Sequence, residues 1–260
     1  MEWQRVVNYE DMSRAGADYL FAAIRRGSLD GRRVNLGLAT GNTMLGVYRE
    51  LAARLNRERV DLRLLHTYNL DEYVGPDGKP VPETHPLSYR RYMRENLFSA
   101  LDPGLGFAPE QAHFPDPVEP ERFDRELEAT GGLDFQLLGI GFNGHIAFNE
   151  PLSPDLISVA GFAALPSRVI ALAELTIQTN SRLTAGNDLA LVPRQAVTMG
   201  MKPILAAREI LLLACFAEQL EPLRRIRDGR PTPALPASYL LDHPRSLIVF
   251  TGDTIGLDTP

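Results

Sequence analysis

The chain carries a single cysteine in 260 residues, so no disulfide framework can form within it. Cys215 lies in the apolar run Ile210–Phe216 and reads as a small buried hydrophobe rather than a nucleophile. That usage fits a reducing compartment. No apolar run approaches the ~20 residues needed to span a bilayer, and the start Met-Glu-Trp-Gln-Arg lacks the apolar core of a signal peptide. The expectation is a cytoplasmic protein. Basic charge is also short: 27 Lys and Arg face 33 Asp and Glu, a net charge of −6. Nucleic acid and anionic membranes therefore find no overall attraction, and an anionic ligand would need a local site. Two nucleotide signatures are missing, the G-x-G-x-x-G fingerprint and the P-loop lysine. No metal is expected, because His145 and Glu150 lack zincin spacing and His66, His85, His113 and His243 form no ligand cluster in sequence. Repeats and low-complexity tracts are absent.

What is present is an alternation of strand-like and helix-like patterns. Val34–Ala39, Leu62–Leu70, Phe135–Gly141, Glu209–Phe216 and Ser246–Thr251 are short apolar runs that predict strands. Helical spacing predicts helices over Glu10–Arg26, Thr43–Asn56, His85–Leu101, Glu119–Thr130 and Ala217–Asp228. Such alternation predicts one α/β domain over residues 1–260: an open, mostly parallel, Rossmann-like sheet with helices on both faces. Pro-rich stretches at 76–86 and 231–236 read as loops rather than linkers.

Three loops follow these strands, and ligands of open α/β sheets bind at strand carboxyl ends. Residues 139–151 place three glycines, His145 and Glu150 just past one strand. Histidine and glutamate there are candidates for proton chemistry; the alternative is a tight turn with a capping histidine. Thr40-Gly41-Asn42-Thr43 stands between a strand and a helix, where backbone N–H groups and hydroxyls bind phosphate well. A purely structural turn is the alternative. Asn69-Leu-Asp-Glu-Tyr-Val-Gly75 carries two adjacent carboxylates, which suit base catalysis if burial tunes one of them. A solvated acidic turn is the plainer reading.

Together the loops resemble the glucosamine-6-phosphate deaminase (isomerase) family. The resemblance is carried by Leu36-Gly-Leu-Ala-Thr-Gly-Asn-Thr43, Asn69 to Gly75, His85-Pro-Leu-Ser-Tyr89, Gly139 to Pro151, Thr179-Asn-Ser-Arg182 and Ala196-Val-Thr-Met-Gly200, in the family's order. It implies the scaffold shared by these deaminases and 6-phosphogluconolactonases. It also implies conversion of an amino-sugar 6-phosphate to a ketose phosphate and ammonia without a cofactor. By resemblance Asp71 is the C2–C1 base, His145 opens the ring, Asn143 and Glu150 orient it, and residues within 152–195 form a mobile lid. Thr40, Gly41, Asn42, Thr43 and Arg182 would hold the phosphate. The implied partner is a small amino-sugar phosphate, with no nucleic acid or membrane partner; a homo-oligomer stays an option.

The chain departs from the family pattern in places. Asn143 replaces the aspartate of many members. Gln219 stands where the family has a phosphate lysine, and Lys202 is the candidate substitute. Met199-Gly-Met-Lys202 looks like the galactosamine branch and His85-Pro-Leu-Ser-Tyr89 like the glucosamine branch, so the epimer is open. Arg168 is followed by Val-Ile-Ala-Leu, without the second base of the allosteric pattern. Two alternatives use the same scaffold. Glu150 and the Asp71-Glu72-Tyr73 loop argue against a lactonase. A sugar-phosphate sensor of a regulator needs a DNA-binding segment, and only about 33 residues precede the first core strand.

Overall fold

The computed structural model describes residues 1–258. Ten strands follow in chain order: β1 (Glu2–Val6), β2 (Val34–Leu38), β3 (Leu65–Asn69), β4 (Asp71–Val74), β5 (Ala112–His113), β6 (Phe135–Gly139), β7 (Arg168–Ala171), β8 (Gln195–Thr198), β9 (Ile210–Ala214) and β10 (Ser246–Thr251). The helices are α1 (Tyr9–Leu29), α2 (Leu45–Glu58), α3 (Tyr89–Asn96), α4 (Pro120–Ala129), α5 (Val159–Ala163), α6 (Glu174–Thr184), α7 (Met201–Leu205) and α8 (Leu220–Arg227).

Seven strands form one all-parallel sheet in the order β1-β10-β9-β6-β2-β3-β5. Its central strands β2 and β9 are buried at every residue. That is why Ile-Leu-Leu-Leu-Ala runs without alternation: both faces are covered, and each buried aliphatic side chain contributes roughly 1.5–3 kcal/mol. From β2 the chain passes through α2 to β3 on one side, whereas β6 leads on to β9 on the other. The β2–β6 boundary is therefore a topological switch point, and a crevice opens there beyond the strand ends.

The helices obey local rules. α1 begins where the Asn8 side chain accepts from the Asp11 N–H, with Glu10 and Asp11 facing the positive end of the helix. Ser88 caps α3 by accepting from the Arg91 N–H, so that helix starts at Tyr89 rather than at His85 as its proline suggested. The prediction of a helix through Leu101 is corrected too, since α3 ends at Asn96.

The larger correction is a second sheet. β4, β8 and β7 pair antiparallel in the order β4-β8-β7. The segment after Asn69, read as a loop, is strand β4, with Asp71 opposite Thr198. Within 152–195 the chain forms α5, whose Phe162 joins the main core, and β7 and α6, which border a second, smaller core containing Tyr73, Phe148, Leu172, Ile177 and Ala196. Among the described residues no helix is long and apolar enough to cross a membrane.

Candidate active site

At the carboxyl ends of β2 and β6 lies a cavity of 160 Å³. Asp71, Asn143 and His145 line it together with Thr40, Gly41 and Thr43. Two glycines make this geometry possible. Gly41 has φ +103, and a Cβ there would meet nothing within 4 Å, so backbone conformation is what demands glycine. At Gly141 the reason is space: an added Cβ would sit 2.4 Å from the His145 imidazole. Ala147, also facing the cavity, holds φ 49, a strained conformation that persists where the surroundings over-determine it.

The 139–151 loop closes on itself through polar contacts. The His145 N–H donates to Asn143 Oδ1 at 3.1 Å, and Asn143 Nδ2 donates to Glu150 Oε2 at 2.7 Å. Glu150 Oε2 also lies 3.3 Å from His145 Nδ1. Oε1 of Glu150 accepts from Thr176 Oγ1 at 2.6 Å and the Ala173 N–H at 3.3 Å. Burial pushes the Glu150 carboxyl up, but the hydrogen bond and charge of His145, with Thr176 and Asn143, outweigh it and hold the group at about 2. With Nδ1 facing a carboxylate, Nε2 is the imidazole atom left for a ligand.

Asp71 is in the opposite situation. It is 6 % exposed, and no described residue hydrogen-bonds to its carboxylate. Burial first, and the neighbouring charge of Glu72 second, raise it well above the usual carboxylate range. Glu72 points the other way. Its carboxylate accepts from the N–H groups of Tyr73, Tyr89 and Arg90 at 2.9 Å and from Ser88 Oγ at 3.0 Å. The adjacent pair thus divides: Glu72 fastens the start of α3, while Asp71 is left bare in the cavity.

The anion-holding set is only partly assembled. Thr40, Gly41 and Thr43 face the cavity, while Asn42 faces an adjoining one, its Nδ2 3.4 Å from the Leu183 carbonyl. Arg182 does not line the cavity. It pairs with Glu218 at 3.0 Å, and its guanidinium carbon lies 5.9 Å from the centre of the Phe142 ring, which does line it. Lys202 is not brought to the cavity either. α7 directs it outward to Glu128 of α4 at 2.8 Å, which corrects its assignment as a substitute phosphate ligand. Sequence places α7 near β9 but does not say which way its first turn faces.

Gln219 does line the cavity, at 2 % exposure. Its Oε1 accepts from the N–H groups of Cys215 and Phe216 at 2.7 and 2.8 Å, and its Nε2 donates to the Ile140 carbonyl at 2.8 Å. It clasps the ends of β9 and β6. Gln219→Lys is therefore expected to strip two N–H groups of their acceptor, at ~1–3 kcal/mol for each buried group left unsatisfied. A melting curve should show a clear drop. Lys202→Ala, by contrast, is expected to leave KM within about twofold, since an exposed pair is worth ~0–1 kcal/mol.

Sequence reasoning missed Thr176, Thr179, Asn180, Tyr89 and Phe148, all of which face the cavity. Tyr89, Phe148, Thr179 and Asn180 sat inside recognised motifs, but no spacing rule gave them a direction. Asn180 Nδ2 donates to Tyr73 Oη at 2.7 Å, and Tyr89 stacks on Phe148 at 6.0 Å. Cys215 is a free thiol that burial pushes up to about 11, so it is inert beside Thr43. His66 and His113 touch at 3.0 Å, and neither lines the cavity. Among the described residues no group of three or more His, Cys, Asp or Glu side chains could hold a metal ion.

A sequence profile described as glucosamine-6-phosphate isomerases/6-phosphogluconolactonase matches residues 8–249. The chain is 39 % identical to a glucosamine-6-phosphate deaminase of Geobacillus sp. (strain WCH70), over 99 % of this chain and 96 % of that one. It superposes on a solved monomeric glucosamine-6-phosphate deaminase with a TM-score of 0.86 at 30 % identity, covering 99 % of this chain and all (100 %) of that one. A 6-phosphogluconolactonase from Trypanosoma cruzi has the same fold, with a TM-score of 0.71 at 15 % identity over 97 % and 95 % of the two chains. A bare Asp71 and an oriented His145 at the switch point of a parallel sheet thus occur in a chain that matches one profile over most of its length: it belongs to the glucosamine-6-phosphate isomerase/6-phosphogluconolactonase family.

Proposed function

We propose that the protein is a glucosamine-6-phosphate deaminase that converts the amino-sugar phosphate and water to fructose 6-phosphate and ammonia. The observation that carries this reading is the pairing of two unlike groups in one cavity: Asp71, buried and unpartnered, and His145, held by Glu150. Lactone hydrolysis needs no base to carry a proton between neighbouring carbons. Aldose–ketose conversion does.

His145 takes the proton of the anomeric hydroxyl and delivers one to the ring oxygen, which opens the sugar. Asp71 then removes the C2 proton and returns it to C1, while the aldehyde oxygen takes up a proton and the amine gives one up, leaving an alcohol at C1 and an imine at C2. Water adds to the imine and ammonia departs. No electrons are exchanged with a cofactor at any step. A carboxylate raised by burial is a stronger base than an ordinary one, which suits a C–H proton. Thr40, Gly41 and Thr43 supply donors for the phosphate, and Arg182, paired with Glu218 outside the cavity lining, would join them only by leaving that partner. The lid expected within 152–195 includes α6, which faces the cavity with Thr176, Thr179 and Asn180. A free, inert Cys215 fits a cytoplasmic setting.

Ammonia release should be measured with glucosamine 6-phosphate and its galactose epimer, without added metal. Turnover of either supports the reading, and the ratio sets the epimer. Rapid hydrolysis of 6-phosphogluconolactone with no ammonia from either sugar would replace it with the lactonase reading.

A further inference from the structure

Glu150 spends its two oxygens in different directions. Oε2 faces the 139–151 loop, toward Asn143 and His145. Oε1 faces α6, where Thr176 Oγ1 donates at 2.6 Å and the Ala173 N–H at 3.3 Å. Ala173 is the residue that opens α6, and it has no side chain with which to cap the helix. A carboxylate from a segment 23 residues earlier does that work, in the field that favours negative charge at a helix start. Thr176 is almost fully buried and turns its hydroxyl to this carboxylate rather than back to its own helix.

We propose that Thr176 is a positioning residue: its hydroxyl ties α6 to Glu150, so that the imidazole of His145 is aligned for ring opening only while α6 is docked over the cavity. The inference rests on the deaminase reading and adds to it the link between the cover and the chemistry. The physical reason is rotational. The terminal torsion of a glutamate is broad and roughly two-fold, so one pinned oxygen is needed to aim the other. Asn143 cannot supply that pin, because it binds the same oxygen as His145. Without the hydroxyl, Oε1 keeps only the longer Ala173 contact. The docked position of α6 has its own supports, the Asn180–Tyr73 hydrogen bond and the apolar contacts of Leu172 and Ile177. Removing the hydroxyl should therefore leave the helix in place and loosen the carboxylate.

The test compares Thr176→Val, which keeps the shape, with Thr176→Ser, which keeps the hydroxyl. For ammonia release from cyclic glucosamine 6-phosphate, the Val variant should lose kcat by ~10-fold or more, about the worth of one hydrogen bond to a charged group. KM should change less, and the Ser variant should stay near wild type. With an open-chain substrate analogue the Val variant should be largely spared. Nitrogen NMR of the imidazole gives a readout independent of turnover: the Nδ1–H tautomer of His145 should dominate in wild type and the Ser variant and be mixed in the Val variant. Equal losses on cyclic and open-chain substrates, a rise in KM alone, or an unchanged tautomer in the Val variant would overturn the proposal. If wild type releases no ammonia, the deaminase reading fails, and the tautomer comparison still decides whether Thr176 aligns His145.

Discussion

Asp71→Asn is expected to lower kcat for ammonia release by ~10²–10⁴-fold, the usual worth of a general base, while sugar-phosphate binding persists. Asn has nearly the same shape but cannot accept the C2 proton. Exchange of that proton with solvent should fall in parallel, and exchange at the wild-type rate would assign the base elsewhere. The environment of Asp71 adds a signature in stability. Its folded-state pKa is raised by burial and then by Glu72. A raised carboxyl favours folding while it is protonated, and that contribution fades as pH rises from the ordinary carboxylate value through the raised one. Wild type should therefore lose stability over that window, and Asp71→Asn should not. The variant should melt higher at neutral pH, and the gap should close below about pH 4, the ordinary aspartate value. A variant that melts lower at pH 7 would mean that Asp71 has a partner in solution. The same raised value puts the acid limb of activity above the normal carboxylate range.

His145→Gln is expected to cost ~10²-fold or more in kcat on the cyclic sugar, again the scale of a lost acid–base group, and much less on an open-chain analogue. The asymmetry follows from the proposed roles, in which the imidazole handles the ring oxygen and the anomeric hydroxyl and Asp71 moves the carbon-bound proton. Glutamine can still donate from its amide toward Glu150, so the 139–151 loop should keep its shape. Equal losses on both substrates would remove His145 from ring opening and make it a general electrostatic element of the pocket. Both variants should be assayed beside Thr176→Val, which touches neither reacting atom and should follow the His145 pattern in weaker form.

Much of this was legible before any coordinates. The continuous apolar runs at 34–38 and 210–214 required strands buried on both faces, and they are the central strands β2 and β9. Glycine-bearing loops after 34–38 and 135–139 located the ligand end of the sheet, because ligands of open α/β sheets bind at strand carboxyl ends. Asp71, Asn143 and His145 could be selected by residue type and by their place after strands, and all three line one cavity. Strand β4 was missed because Asp-Glu-Tyr-Val lacks a clear period and its pairing partner Gln195–Thr198 lies more than 120 residues away. Strands β7 and β8 were missed for the same reason: each is four residues long and is stabilised by its neighbour rather than by its own pattern.

The sequence by itself determined the layered α/β architecture, the family and the chemical types gathered at the site, since these depend on periodicity and on residues adjacent in the chain. Direction was decided only in three dimensions. Adjacent Asp71 and Glu72 look alike in sequence, yet one is bare in the cavity and the other is bound by three donors at the start of α3 and by the N–H of Tyr73. Lys202 was the candidate to replace the family lysine missing at Gln219, until α7 carried Lys202 out to Glu128 and the ends of β6 and β9 enclosed Gln219. Thr176 had no signal at all, because its meaning lies in a carboxylate 26 residues away. The orientation of a side chain on a short strand or helix is set by long-range packing and by which buried donors need an acceptor, and neither is encoded in local spacing.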